Sequence, residues 1–280
     1  MIGRAEDRRL ITQNVKDIVC CPGGLEVKDQ LLKGDLEQTV IWRKEMLKLG
    51  MTGFVSYLEG LARGFIEYMP TEVAPFPIEV ARGAVLMCYH WEPVDPDDEE
   101  EHLTQEKRLI QLVIDDANGK FSGLATLGWD NPSHFPITFL KELGFEEIEK
   151  SGEIRLMWLP LEEGVSPAKM GPTQFKPQNL FSKGLLAIES AWSSRCPYSI
   201  HNAARLEQVI ADLPKKARES VRHLPHRIDT HEEAMKYSIF PRNWEWVFLN
   251  GEEIPIFDLP SDKLRQRILD GVEKLKRRTQ

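Results

Sequence analysis

Apolar residues recur along the chain in regular rhythms that fail only once, near residues 160–180. Leu36, Val40, Trp42, Met46 and Leu47 recur at helical spacing and predict a helix over about 36–49. Two strand-like runs follow, Gly53-Phe54-Val55-Ser56-Tyr57 and Gly64-Phe65-Ile66-Glu67-Tyr68, and the Glu59-Gly60 turn between them makes a hairpin. Ala84-Val85-Leu86-Met87-Cys88-Tyr89 reads as a buried strand. An acidic loop leads from it to a helix over about 104–117, with Thr104 as N-cap, Leu109, Val113 and Ala117 on one face, and Asn118-Gly119 as the stop. A strand at 123–127, a helix at 135–143 ending at Gly144 and a strand at 154–159 complete this half. Then Pro160, Pro167, Pro172 and Pro177 recur with Gly164 and Gly171, a spacing that no helix or strand survives. Beyond it the pattern resumes with a strand at 184–191, a helix at 199–213, a strand at about 220–228 and a short helix at 231–238. A hairpin over 245–257 turning at Asn250-Gly251 and a helix over 261–277 close the chain. The halves do not repeat one another.

The 280 residues exceed one ordinary domain, so the break divides the chain into units at 1–160 and 181–280 joined by a proline-rich linker at 161–180. Hydrophobic residues make up 41% and charged residues 29%, a globular balance. No apolar run reaches the roughly 18 residues of a membrane span, and the first residues are unlike a signal peptide, so a cytoplasmic location is expected. The net charge of −8 conceals a split. Residues 1–165 carry 17 Lys/Arg and 30 Asp/Glu, residues 166–280 carry 19 and 14, so a half of net −13 precedes a half of +5. The acidic half argues against a nucleic-acid role, and the cationic C-terminal residues Lys274, Lys276, Arg277 and Arg278 suit the end of a helix dipole. Cys20, Cys21, Cys88 and Cys196 are too few for a disulfide scaffold and read as reduced thiols. Cys20-Cys21-Pro22-Gly23-Gly24 lacks a second pair at zinc spacing, and no metal is expected.

The order hairpin, strand, helix, strand, helix, strand in the first half resembles the GNAT N-acetyltransferase superfamily. The resemblance rests on Gly64-Phe65-Ile66-Glu67-Tyr68, Tyr89-His90-Trp91, Trp129-Asp130-Asn131-Pro132 and Phe139-Leu140-Lys141-Glu142-Leu143-Gly144-Phe145. It implies an α/β (α+β) fold with a mixed sheet flanked by helices, acetyl-CoA as cofactor and an acceptor that is a small-molecule amine. A homodimer is compatible with it. By position the cofactor would lie along Tyr89, His90 and Trp91, with Asn131 beside it and its phosphates at the helix start near Thr104, where Lys107 and Arg108 supply counter-charge. The family's glycine-rich turn is missing: no glycine lies between Gly83 and Gly119, and Asp95, Asp97, Asp98, Glu99, Glu100 and Glu101 crowd the approach. Acetyl transfer needs a base and an acid. Glu67 is the candidate base. Leu140 stands where many relatives carry an acidic tyrosine, which leaves Tyr89 or a water, with His90 and His134 as alternatives. Cys88 reads as a small core residue.

In the second half, a strand runs into Ser193-Ser194-Arg195-Cys196-Pro197-Tyr198-Ser199 and then a helix. A cysteine at a helix N-terminus beside an arginine has its thiolate stabilised by dipole and cation. This βαβαββα order resembles the thioredoxin superfamily, and Cys-Pro-Tyr-Ser its single-cysteine glutaredoxin form. Ser199 replaces a resolving cysteine, so Cys196 closes no local disulfide, and Asn243 stands where such folds carry a cis-proline, Pro241 lying two residues early. The pair of units resembles the bacterial YoaP-type family. It implies acetyl transfer, with Cys196 as a further catalytic candidate. A degenerate acyltransferase fold serving as a ligand-binding or sensing module, and a monothiol redox protein centred on Cys196, are the alternatives.

Overall fold

A computed structural model describes residues 5–18, 33–95, 97–130, 135–171, 175–239, 245–256 and 259–279. Cys20, Cys21, Asn131, His134, Pro241 and Asn243 lie outside the described residues.

The first half forms a seven-stranded mixed sheet. Its elements are β1 (Glu6–Arg9), α1 (Lys33–Lys48), β2 (Thr52–Leu58), β3 (Leu61–Pro70), the two-residue β4 (Ile78–Glu79), β5 (Ala84–Trp91), α2 (Glu99–Ala117), β6 (Gly123–Trp129), α3 (Ile137–Glu142), β7 (Glu146–Ser151) and β8 (Ile154–Pro160). The strand order is β1-β2-β3-β5-β6-β8-β7, antiparallel throughout except for β5 against β6. Alternation along the strands sends side chains into two cores. Val85, Met87, Ala125 and Leu127 meet Trp42 and Met46 of α1 on one face. Ala84, Leu86, Leu124 and Met157 meet Leu109, Ile110, Val113 and Ala117 of α2 on the other.

The predicted hairpin pairs in register from Leu58↔Leu61 to Thr52↔Tyr68, with one bulge. Two expectations are corrected. Helix α2 starts at Glu99 rather than Thr104, because Asp98 caps it by accepting from the Glu101 N–H at 2.8 Å, and three carboxylates in its first turn suit the positive helix end. Thr104 is an exposed residue of the helix body. Strands β1 and β7 were not expected: Glu6-Asp7-Arg8-Arg9 and Glu146–Ser151 are the sheet's two edges, where charge replaces apolar alternation.

The linker is bonded to the fold. Within it β9 (Lys169–Met170) pairs antiparallel with β4, the Gly171 N–H donates to Pro77 O at 2.7 Å, and Ala168 is buried.

The second half comprises β10 (Leu186–Trp192), α4 (Pro197–Ala211), a single turn α5 (Lys215–Arg218), β11 (Val221–Arg227), α6 (His231–Tyr237), β12 (Trp246–Leu249), β13 (Glu252–Ile254) and α7 (Ser261–Thr279). Its sheet runs β11-β10-β12-β13, with β10 parallel to β11 and antiparallel to β12. Thr230 and Glu233 form a capping box at α6. No described helix is long and apolar enough to cross a membrane.

Candidate active site between the two sheets

Strands β5 and β6 share ladder pairs only at Ala84↔Leu124 and Val85↔Ala125. Beyond these the strands part, although the Thr126 hydroxyl still donates to Leu86 O at 3.0 Å. Facing strand edges that do not bond each other suit an extended ligand that carries amides.

Beside this parting lies a partly open cavity of about 40 Å³. Leu86, Met87, Cys88, Thr126 and Leu127 form its floor, and Arg43, Phe76, Trp129 and Phe135 stand around it. The remaining wall comes from the other half of the chain: Arg195, Cys196 and Pro197, at the start of α4.

Cys196 is the N-cap of α4, in extended backbone, with Pro197 in the first turn where its missing N–H costs nothing. The loop before it is fixed by Asp229, whose Oδ1 accepts from the Ser194 N–H at 2.7 Å and from the Ser193 hydroxyl at 3.2 Å. Ser199 Oγ accepts from the Ser193 N–H at 3.0 Å. The Arg195 guanidinium lies over the Phe76 ring, 4.4 Å from its centroid, which joins the halves at the cavity. Buried Glu245 accepts from Asn202 at 3.1 Å and has Ser199 as a second hydrogen-bonding neighbour. Burial pushes the Glu245 carboxyl up to about 8, and the Cys196 thiolate adds to that push.

The sequence-predicted residues divide around this cavity. Glu67, with no exposed surface, gives both carboxylate oxygens to Arg43, at 2.6 and 3.2 Å. Arg43, not Glu67, is the member of the pair on the cavity wall. A carboxylate held in such a fork anchors the guanidinium, so the expectation of Glu67 as base is corrected to a positioning role. Tyr89 points into the α2-side core against Phe135, 4.4 Å between ring centroids, and burial pushes its hydroxyl far above the ordinary tyrosine range. That makes it a poor proton donor. Leu140 is fully buried in the same core.

At the expected phosphate site the chain bonds itself. Glu101 accepts from Trp91 Nε1 and from the Val94 N–H, both at 3.2 Å, and His102 Nδ1 bonds Trp91 O at 2.7 Å. His90 is buried, and burial followed by His102 pulls its pKa down to about 4. Lys107 bonds Glu142 at 2.5 Å, and Arg108 bonds Asp7, Ser56 and Gln105. The α2 start, capped by Asp98 and ringed by carboxylates, does not fit the diphosphate of acetyl-CoA.

Arg43, Phe76 and Thr126 went unnoticed in the sequence. One signal was available: Arg43 interrupts the apolar face of α1 and Glu67 interrupts the run Phe65–Met69, a matched pair of charges in two buried elements.

No protein-family model matches the chain, and no curated protein matches its sequence. The described fold is similar to an N-acetyltransferase from Staphylococcus aureus Mu50, at 12% identity and a TM-score of 0.41 over 57% of this chain and 100% of that one. It is also similar to the Campylobacter jejuni N-acetyltransferase PseH in complex with acetyl coenzyme A, at 10% identity and a TM-score of 0.38 over 57% and 100%. A third similar structure is a GNAT family acetyltransferase from Brucella melitensis in complex with acetyl-CoA, at 14% identity and a TM-score of 0.37 over 59% and 96%.

Proposed function

We propose that the chain is an acyltransferase of the GNAT type that takes acetyl-CoA as acyl donor and a small amine as acceptor, built from units at 1–160 and 181–280. The observation that carries this reading is the parting of β5 and β6 beside a partly open cavity. Leu86, Thr126 and Leu127 would hold the acyl end. Arg43, anchored by Glu67, and Arg195 set two cations on the wall, where they stabilise negative charge developing on a carbonyl oxygen during acyl transfer. The second unit reads as thioredoxin-like: its strand order and the Cys196 N-cap on α4 support that reading.

The test is isothermal titration with acetyl-CoA. Binding is expected, weakened at least about tenfold by Thr126→Leu, which fills the cavity. No heat at millimolar acetyl-CoA sinks the proposal. The self-bonded start of α2 favours a second reading, a fold of this kind kept for binding ligands without turnover. Steady release of CoA in the presence of an amine rules that out.

A further inference from the structure

We propose that the acceptor amine carries a carboxylate, and that Arg195 holds this carboxylate at the cavity while the amine meets the acyl donor. The inference rests on the acyltransferase reading and narrows its acceptor to the amino acid class, with amino group and carboxylate in one small molecule.

The charges on the wall supply the first argument. Among the described residues that line the cavity, Arg43 and Arg195 are basic and none is acidic. Glu67 balances Arg43 from outside the wall, so the Arg195 guanidinium sets the sign there. Cys196 and Pro197, the N-cap and first residue of the 15-residue α4, line the same wall and add the positive end of a helix dipole. A guanidinium and a helix end thus direct positive potential at one cavity, and a recess lined by charge of one sign concentrates the opposite ion. The net −13 of residues 1–165 opposes an incoming anion only weakly, because screening limits it to about 10 Å at moderate salt.

Burial and shape supply the second. Arg195 is 8% exposed, and its guanidinium lies over the Phe76 ring. Stacking engages the flat face of a guanidinium, whose N–H groups radiate in its own plane as the fork that matches a carboxylate. Phe76, Trp129 and Phe135 keep water from the wall, and a charge-assisted hydrogen bond is stronger where water is scarce. Size then selects among anions. A water occupies roughly 10–15 Å³ of such space, so about 40 Å³ takes about three heavy atoms, a carboxylate rather than a phosphate.

The donor's acyl end comes along the parted strands to Leu86 and Thr126, and the carboxylate lies on the opposite wall at Arg195. The amine nitrogen attacks the thioester carbonyl, the C–N bond forms as the bond from that carbon to the CoA sulfur breaks, and the ammonium proton goes to the departing thiolate. The carboxylate is unchanged. It anchors the acceptor without engaging the lone pair that attacks.

Cys196, on the same wall, reports on the cavity without any acyl transfer. The full chain is alkylated with iodoacetate and, separately, with the neutral iodoacetamide, and the Cys196 peptide is quantified by mass spectrometry. The ratio of the two rates, set against the same ratio for glutathione, cancels the ionisation of the thiol itself. In wild type it should exceed that of glutathione at least about tenfold, the gain a focused positive field gives an anion. Arg195→Gln should abolish the excess, and Arg195→Lys, which keeps the charge, should preserve it. Any smaller excess in wild type overturns the proposal, and so does Arg195→Gln that keeps the wild-type ratio. Release of CoA from acetyl-CoA is then followed with a set of amino acids and with the matching amino acid amides. The acids should be better acceptors by at least about tenfold in kcat/KM. Amides as good as the acids overturn the proposal and leave the acyltransferase reading standing. An iodoacetate preference in a chain that binds no acetyl-CoA overturns the acyltransferase reading alone, and the carboxylate site stands as one for a ligand rather than an acceptor.

Discussion

Glu67 and Arg43 show what a buried charge asks of its neighbours. Their side chains are 0% and 7% exposed, so each charge balances the other where water is excluded. Glu67→Gln removes the buried charge that balances the Arg43 guanidinium and should destabilise the protein by about 3–5 kcal/mol in urea unfolding. Replacing both partners with apolar residues, Arg43→Met with Glu67→Leu, should recover most of that loss while abolishing one of the two cations on the cavity wall. A double variant no more stable than the single one would mean that the pair's cost lies in packing rather than in charge. Glu106 poses the opposite case, because burial pushes its carboxyl up to about 8 from an ordinary 4.5. The folded state then holds a proton that the unfolded state releases. Stability should fall as pH rises from about 4.5 to about 8. Glu245 acts in the same direction. His90, pulled down to about 4, acts at the other end and costs stability as pH drops below 6.5. Glu106→Gln should therefore flatten the decline in melting temperature between pH 5 and pH 9. An unchanged profile would remove Glu106 from that account.

Helix α2 illustrates how an element's start decides what it binds. Asp98 takes the Glu101 N–H, and Glu101 in turn holds Trp91 and the Val94 N–H, so the positive end of the helix is spent on the chain's own carboxylates. The nucleotide end of the donor gains little from such a start. Acetyl-CoA and the truncated S-acetylpantetheine should therefore bind within about threefold of each other, and calorimetry that finds acetyl-CoA tighter by about a hundredfold would place a phosphate cradle elsewhere in the fold. Asp98→Ala should cost about 1 kcal/mol of stability through the lost cap. The run of six carboxylates made the missing cradle legible in the sequence, as did the helices and central strands, whose apolar rhythm is strong. The true cap was not, because Thr104 and Asp98 are both good N-cap residues and only the Glu101 N–H chooses between them. Edge strands β1 and β7 escaped for a different reason, since solvent on their outer side lets charge replace alternation. The parting of β5 and β6 depends on register between strands some forty residues apart, which no local pattern encodes.

At the scale of the whole molecule, one cavity wall comes from each half, so the site exists only while the halves are docked. Their contacts are mostly specific rather than long-range. Trp42 Nε1 donates to Asp229 O at 3.3 Å, His231 Nδ1 bonds Phe76 O at 3.0 Å, His201 meets Asp35 at 3.2 Å, and Arg195 covers Phe76. The opposed net charges of the halves add attraction that is screened beyond about 10 Å at moderate salt, and it is the weaker part of the hold. The strap of β9 on β4 keeps the connecting chain against the first sheet, which shortens the free tether. A protease site inserted after Gly164, an exposed turn glycine, gives the means of separating tether from contact. After cleavage the two fragments should still elute together at both about 0.15 M and about 1 M salt. The same cleaved protein carrying Phe76→Ala loses the ring that Arg195 covers and should separate. In the uncut Phe76→Ala chain, Cys196 should alkylate several-fold faster with iodoacetamide, because its cavity wall has opened. Fragments that part at low salt with Phe76 intact would show that the linker alone holds the halves. In that event the shared cavity would be a consequence of tethering, not of a fitted interface.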